Sequence, residues 1–169
     1  MSNLDKLLEE LTPVLRDVVV VYILDKQGKV LLGGRKKKDK PGLGKRVGIG
    51  GGIEENEDAL QATKREAMEE IGVKINSAKQ VGVVYFLFPH KRDEPGYNQR
   101  CYVFTCDDWE GSPIESEVIK PEWYPIDELP EQFMWPDNLL WVPQVLKGEN
   151  VNGIFLYEEG KVVDYKLEQ

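Results

Sequence analysis

Apolar residues recur every three or four positions in three segments, the spacing that predicts amphipathic helices. The first segment, residues 3–15, places these apolar residues on one face: Leu4, Leu7, Leu8, Leu11 and Val14. The second segment, residues 57–71, carries a narrower stripe, and Gly72 follows it where a helix C-cap belongs. Residues 137–145 predict a third, shorter helix.

Other segments carry β-branched or aromatic residues between turn signals, a pattern typical of strands. Val18–Leu24 and Val30–Leu32 predict a buried hairpin, because both are continuous apolar runs joined by a Gly-containing turn. The remaining predicted strands are 81–88, 102–104, 122–125, 151–157 and 162–167. Gly48–Gly52 is expected to bend sharply or to approach another group closely, because its glycines have no Cβ. With no linker or repeat, the chain predicts one α/β domain.

The composition excludes a membrane-spanning helix. The chain has 169 residues, of which 41% are hydrophobic and 31% charged. Its longest apolar run, Val18–Leu24, is far short of the roughly 20 residues that a membrane helix needs. The N-terminus lacks the pattern of a secretory signal. Cys101 and Cys106 are an odd number of positions apart, so on one strand they face opposite ways; free thiols and a cytoplasmic location are expected.

The net charge of −8, from 22 basic and 30 acidic residues, argues against binding to a nucleic-acid polymer. An acidic protein that binds a small phosphate compound needs a metal ion or a local basic patch to offset repulsion. One segment supplies such a patch through Arg35, Lys36, Lys37, Lys38, Lys40, Lys45 and Arg46. The charge balance is therefore compatible with a small anionic ligand.

Three carboxylates share one face of the second predicted helix. Glu66 and Glu70 are one turn apart, and Glu69 is three positions from Glu66. Like charges at this spacing destabilise a helix, and a hard divalent cation such as Mg²⁺ or Mn²⁺ relieves the repulsion. The alternative is an acidic face that is merely solvated. The wider pattern argues against it: Gly51-x5-Glu57-x7-Arg65-Glu66-Ala67-x-Glu69-Glu70-x-Gly72-Val73. Average residue usage gives on the order of one chance match in a billion windows.

The stretch Gly51–Val73 resembles a complete Nudix box. Further segments, among them Val30–Gly33, Ser112–Ser116 and Met134–Asp137, resemble the MutT-homologue subfamily, which hydrolyses oxidised purine nucleoside triphosphates. The resemblance covers residues 17–169 and implies a Nudix α/β/α sandwich with a mixed sheet, preceded by a helical extension at residues 1–16. It also implies cleavage of a substrate such as 8-oxo-dGTP to a nucleoside monophosphate and pyrophosphate.

The resemblance also assigns roles within the box. It implies that Glu66, Glu69 and Glu70 bind Mg²⁺, with Mn²⁺ as an alternative, and that a backbone carbonyl of Gly50 or Gly51 completes the metal site. Glu69 or Glu70 would also polarise the attacking water. The similar enzymes pair the residues that match Glu57 and Arg65, and this pair would brace the loop against the helix.

The base pocket departs from the subfamily at two positions. Trp135 and Asp137 are kept, but Asn138 follows them and Val47 stands where the similar enzymes have an asparagine. Asp137 and Asn138 together offer a mixed donor–acceptor edge to a purine. The loss of the asparagine at Val47 weakens the case for 8-oxoguanine specificity. The alternative roles are a helix N-cap for Asp137 and core packing for Trp135.

Another departure concerns the extra metal-binding glutamate of the subfamily, whose position is occupied by Val118. Glu117 replaces it only if a bulge shifts the strand, since neighbouring residues of a strand face opposite ways.

Further substrate contacts are assigned by position. Arg35 or Lys37 is expected to touch the triphosphate, whereas Lys36, Lys38 and Lys40 are expected to be solvated. The positions that line the base pocket in the similar enzymes are Phe86, Phe88 and Gln99, with core filling as the alternative for at least one phenylalanine.

These observations favour a Mg²⁺-dependent hydrolase of oxidised purine nucleoside triphosphates that acts as a monomer or weak dimer, without nucleic-acid or membrane partners. Another nucleotide substrate is the alternative within enzymes: an ordinary dNTP, a dinucleoside polyphosphate or a nucleotide sugar. A catalytically silent module that senses a nucleotide or binds a protein is the alternative outside enzymes. It is disfavoured because no carboxylate of the box is missing.

Overall fold

The structure is a computed structural model that describes residues 1–36 and 42–168. Within these residues the helices are α1 (Asn3–Leu11), α2 (Ala59–Ile71) and α3 (Asn138–Leu146). The strands are β1 (Arg16–Leu24), β2 (Lys29–Arg35), β3 (Arg46–Val47), β4 (Ile49–Gly52), β5 (Lys74–Leu87), β6 (Gln99–Glu110), β7 (Ile119–Pro125), β8 (Asn152–Glu158) and β9 (Lys161–Glu168).

The strands form one mixed sheet. Its main order is β3-β2-β1-β6-β5-β8-β9, with β4 paired to β1 and β7 paired to β2. The pairs β1–β6 and β5–β8 are parallel, and the other pairs are antiparallel. The mixed sheet confirms the predicted fold class.

Helices cover both faces of this sheet, which explains the unbroken apolar run of β1. Val18 and Tyr22 face one way and pack with Trp141 of α3. Val19 and Val21 face the other way and pack against α2. The α/β/α sandwich that the sequence predicted is therefore confirmed, and the two cores lie on opposite sides of β1.

The ends of α2 follow from its sequence. Asp58 caps the helix N-terminus and forms a reciprocal capping box with Gln61. Gly72 ends the helix in the left-handed conformation, with φ of 69°. Between these caps, the small residues Ala62 and Ala67 are buried in the core, and Glu66 lies against Gly51 of β4.

Three sequence predictions need correction. The predicted strands at 81–88 and 102–104 are parts of longer strands, since β5 begins at Lys74 and ends at Leu87 and β6 spans Gln99–Glu110; the added residues are mostly polar and gave no apolar run. The predicted hairpin pairs only close to its turn, and Val18–Val21 pair with β4 instead. Residues 49–52 are thus a strand rather than a bend, and the other expectation for this segment, a close approach to another group, is confirmed at Gly51 beside Glu66. Cys101 and Cys106 are free and lie in opposite cores, as predicted.

The N-terminal helix packs on the sheet. Leu4 and Leu11 form a separate buried cluster with Leu87 of β5 and Ile154 of β8. Leu87 is three positions from Val84, which lies in the α3-side core, so α1 covers the same face of the sheet as α2. Helix α1 ends at Leu11, and Thr12–Val14 form a single 3₁₀ turn, because Pro13 cannot continue the α-helical hydrogen bonds.

Replacing Leu11 by Ala tests whether α1 is an integral part of the domain. Leu11 is only 2% exposed, so we expect Leu11→Ala to lower the free energy of unfolding by about 2–4 kcal/mol. Urea denaturation should show one transition for wild type and variant. Glu9→Ala, at an exposed position of the same helix, is the control. A wild-type stability in Leu11→Ala would mean that α1 packs only loosely.

Candidate active site

The first half of the site lies where α2 faces β4. The carboxylate of Glu66 lies against the backbone of Gly51, since a Cβ at Gly51 would be only 2.6 Å from Glu66 Oε1. The backbone amide of Gly50 donates a hydrogen bond to the carboxylate of Glu70, and this bond opposes the rise that burial causes in the pKa of Glu70. Only glycine lets the strand approach the carboxylates this closely.

Arg65 joins the loop before α2 to the helix itself. Its Nη2 donates to Glu57 Oε1 at 2.6 Å and to the Gly52 carbonyl at 2.9 Å. Its Nη1 donates to Glu66 Oε1 at 2.9 Å and to Glu69 Oε2 at 3.1 Å. Hydrogen bonds from Arg65 hold the pKa of Glu57 below its ordinary value. The bracing role that the resemblance implied for Glu57 and Arg65 is consistent with this geometry.

Two carboxylates of α2 lie partly buried beside β4. Burial raises the pKa of Glu70 to about 7; the charge of Glu66 adds to this rise and Arg35 opposes it. Burial also raises the pKa of Glu66, although Arg65 counteracts it. The helix therefore holds two partly buried carboxylates whose repulsion is only partly offset by cationic side chains.

The donor set fits a hard divalent cation. Glu66 and Glu70 face the backbone of Gly50 and Gly51, and carboxylate and carbonyl oxygens are the ligands that such ions prefer. Glu69 is on the same helix face, but its side chain is 58% exposed and is bonded to Arg65. Among residues 1–36 and 42–168, no three His, Cys, Asp or Glu side chains are close enough to hold a metal as they stand.

The basic segment lies partly beside this half of the site. Arg35 ends β2 and lowers the pKa of Glu70 by its charge, so its guanidinium faces the carboxylates. Lys36 instead pairs with Glu115 at 3.2 Å and donates to the Ser116 carbonyl. The predicted phosphate ligand Lys37 lies outside the described residues, and so do Lys38 and Lys40.

The strand bulge considered for Glu117 does not occur. Glu117 is exposed in the loop that precedes β7, and that strand begins at Ile119. Val118 packs partly into the α2-side core. The prediction assumed that Glu117 and Val118 lie in a strand, and this assumption is wrong because residues 112–118 form no strand. A metal-binding role for Glu117 stays a prediction.

The second half of the site lies on the opposite face of the sheet, around Asp137. Its Oδ2 accepts from Trp141 Nε1 at 2.8 Å and from Asn138 Nδ2 at 3.0 Å, and its Oδ1 accepts from the hydroxyl of Tyr157. Asp137 is 3% exposed, and burial raises its pKa above the ordinary value. Asp137 stands at the N-cap position of α3, which was the alternative for this residue, but its side chain makes no capping hydrogen bond.

The other predicted base-pocket residues surround this network. Phe88 stacks on Tyr157 with ring centroids 5.0 Å apart, and Phe86 stacks on Phe155 at 6.1 Å. Both phenylalanines are partly buried against the α3-side core. Gln99 donates its side-chain amide to the Gly96 carbonyl at 2.8 Å.

Trp135 lies at the border of this half of the site. Lys45 Nζ lies 5.1 Å from the centre of its ring, which favours a cation–π contact. Trp135 is half-buried and belongs to none of the three buried clusters, so it does not fill the core, which was the alternative for this residue.

The segment from β3 to β4 connects the two halves. Val47 pairs with Gly33 in the sheet. A Cβ at Gly48 would be 2.5 Å from Val20 and 2.9 Å from Tyr22, on the α3 side. Gly51, three positions later, lies against Glu66 on the α2 side. Tyr22 also packs on Trp141, with ring centroids 6.1 Å apart, so residues 48–51 adjoin both half-sites, one on each face of the sheet.

Sequence reasoning missed Tyr157 and Trp141. Both are buried, and both donate to Asp137. Residues 154–157 of β8 are an unbroken apolar run, which indicated a buried strand but not the face on which Tyr157 lies. Nothing in the spacing showed that its hydroxyl would meet Asp137, which is 20 residues away in the chain.

Comparisons with known proteins agree with this architecture. The family model of the NUDIX domain matches residues 14–145. An oxidized purine nucleoside triphosphate hydrolase of Danio rerio is 31% identical over 153 residues, covering 90% of this chain and 94% of that protein. The enzyme of the same name from Mus musculus is 32% identical over 154 residues, covering 89% and 92%.

A solved structure is also similar. The MutT protein from Bacillus halodurans superposes with a TM-score of 0.77 at 25% identity, covering 91% of this chain and 98% of the other. In the described part of the chain, every helix is too short or too polar to cross a membrane. The family match spans most of the chain and includes the box Gly51–Val73. The chain therefore belongs to the Nudix family.

Proposed function

We propose that this Nudix hydrolase cleaves oxidised purine nucleoside triphosphates such as 8-oxo-dGTP to a nucleoside monophosphate and pyrophosphate. The observation that carries the proposal is that residues 48–51 adjoin two half-sites: carboxylates beside Gly51 on one face, and on the other the buried carboxylate of Asp137, whose donor Trp141 packs on Tyr22 beside Gly48. The first suits a polyphosphate with its cation, and the second suits the polar edge of a base. The two vertebrate relatives are named for this activity.

The proposal assigns the residues of the first half to the cleavage step. Glu66, Glu69 and Glu70 would hold Mg²⁺ or Mn²⁺ together with a carbonyl of Gly50 or Gly51, and Glu117 would be an additional ligand. When bound, the cation supplies neutralisation of the charge on the polyphosphate. Glu69 or Glu70 accepts a proton from the attacking water. The water oxygen bonds to phosphorus, and the leaving pyrophosphate takes the electrons of the broken P–O bond.

Neighbouring residues position the reacting groups. Arg65 and Glu57 keep the loop fixed against α2, and the guanidinium of Arg35 faces the carboxylates from β2. Arg35 and Lys37 would bind phosphate oxygens. At the base, Asp137 and Asn138 would read the purine edge, while Trp135, Phe86, Phe88 and Gln99 would line the pocket.

The cellular setting is part of the same proposal. Cys101 and Cys106 are buried free thiols, which suits a reducing, cytoplasmic compartment. Both half-sites are built from one chain, so a monomer or weak dimer suffices for activity.

Replacing Glu70 by Gln tests the carboxylates. The amide keeps the shape of the side chain but loses its charge, so we expect turnover of 8-oxo-dGTP to fall by about 10²- to 10⁴-fold. Phosphate-release kinetics measure it. Glu55→Gln, at an exposed position of the loop before α2, is the matched control and should retain wild-type turnover. Full activity in Glu70→Gln would contradict the assignment, and an inactive wild type on a broad nucleotide panel would favour a catalytically silent module.

Removing divalent cations tests the metal requirement. Chelation should abolish turnover, because Glu66 and Glu70 then repel the polyphosphate. Mg²⁺ should restore it, and Mn²⁺ should restore it at least in part. Circular dichroism before and after chelation controls for unfolding. Undiminished hydrolysis in excess chelator would be incompatible with the proposed mechanism.

Val47 favours a second candidate, a Nudix hydrolase of ordinary nucleotides, because valine offers no hydrogen bond to a base. The ratio of kcat/KM for 8-oxo-dGTP to that for dGTP separates the two. We expect a ratio of about ten or more, and Val47→Asn should raise it about tenfold by adding a polar partner. A wild-type ratio near one would favour the second candidate.

A further inference from the structure

The hydroxyl of Tyr157 contacts the carboxylate that the proposed function assigns to the base. It donates to Asp137 Oδ1, while Trp141 and Asn138 donate to Oδ2. Tyr157 is held in this position by its stack on Phe88, at 5.0 Å between ring centroids, and is 4% exposed. Tyr157 comes from β8, whereas the other two donors, Asn138 and Trp141, lie in α3, which directly follows Asp137.

In all three of these hydrogen bonds the carboxylate of Asp137 is the acceptor. A carboxylate has about four acceptor positions, so one is left for a ligand. A proton on Asp137 would compete with one of the donors for an oxygen lone pair, so the network matches the ionised form. Burial alone raises the pKa of Asp137, and the hydrogen bonds from Tyr157, Trp141 and Asn138 oppose that rise, with Tyr157 contributing most among the three.

The groups that face Asp137 from other elements remain neutral. Tyr22 approaches from β1 and Cys101 from β6. Burial raises the pKa of Cys101 to about 12 and raises that of Tyr22 well above its usual value. The pKa of Tyr157 is raised too, by burial and by Asp137. Among these four side chains, Asp137 is therefore the one that carries a negative charge, and the hydroxyl of Tyr157 keeps its proton and remains a donor near neutral pH.

We propose that Tyr157 is a positioning residue for base recognition, whose hydroxyl keeps the Asp137 carboxylate oriented and acceptor-only toward an N–H of the purine edge. This rests on the proposed function. A 2-amino-6-oxopurine presents ring and amino N–H donors to such a group. A 6-aminopurine presents one amino donor beside a ring nitrogen that only accepts, so an ionised Asp137 can accept from the amino group alone, and the ring nitrogen would gain from a protonated Asp137. Tyr157 therefore favours the guanine type of edge.

Replacing Tyr157 by Phe tests the inference. Affinity for 8-oxo-dGMP is measured by calorimetry between pH 5 and 8.5. Divalent cations are left out, so that metal binding by the carboxylates of α2 does not contribute to the measured affinity. Affinity should fall as pH drops through the pKa of Asp137, because only the ionised form accepts from the base. Loss of the Tyr157 donor raises that pKa, so this acid limb should move up by about one pH unit, a loss of about tenfold on the acid side. The preference for 8-oxo-dGMP over 8-oxo-dAMP should narrow.

Two variants serve as controls. Tyr165→Phe removes a half-exposed hydroxyl from the neighbouring strand β9 and should leave the pH profile unchanged. In an Asp137→Asn background, Tyr157→Phe should no longer move the profile, because the carboxyl group to which Tyr157 donates is gone, while the titration of Glu70 is common to both proteins. Trp141→Phe, which removes another donor to the same carboxylate, repeats the test if Tyr157→Phe is too unstable by thermal denaturation.

The outcomes separate the inference from the function on which it rests. If wild type binds 8-oxo-dGMP and hydrolyses 8-oxo-dGTP while Tyr157→Phe keeps the wild-type acid limb and base preference, the inference is wrong and the proposed function stands. If wild type neither binds nor hydrolyses these nucleotides, the proposed function itself fails. An upward shift that disappears with Asp137→Asn supports the inference.

Discussion

Negative charge held against a strand of glycines is the constraint on which the site depends. The carboxylate of Glu66 occupies space that a side chain at Gly51 would fill, and burial together with Glu66 raises the pKa of Glu70 to about 7. Arg65 offsets only part of this charge, because its guanidinium is shared with Glu57 and Glu69. The fold thus keeps an acidic cluster incompletely neutralised, and an incompletely neutralised cluster is what gives a divalent cation its binding energy.

The same strand determines where a ligand can lie. Gly48 faces Tyr22 in the α3-side core, and Gly51 faces Glu66 on the α2 side. The pleat of a strand alternates its faces, so three residues suffice to carry the backbone from one half-site to the other. A nucleotide has the matching layout, with a charged polyphosphate at one end and a polar base at the other. Arg35, at the end of β2, and Trp135, before α3, both lie close to Gly42, which places them at this border.

Much of this architecture could be predicted from the sequence, and the failures have physical causes. Helix positions followed from apolar spacing and from the cap at Gly72. The carboxylates of the first half followed from helical periodicity and the box. The pairing of β1 with β4 did not, because glycines carry no side-chain pattern to indicate a strand. The contact between Tyr157 and Asp137 did not either, since it joins two elements that only the tertiary fold brings together.

The second half of the site depends on how a buried charge is stabilised. Two adjacent buried aspartates would repel each other and share a proton. Asn138 avoids that repulsion and donates to Asp137 instead. With Tyr157 and Trp141 donating as well, Asp137 is the one carboxylate of a network of three donors. Because Val47 contributes no polar side-chain atom, base recognition under the proposed function would rest mainly on the orientation and charge of Asp137, so the donors that hold this carboxylate would matter as much as the contacts made to the base.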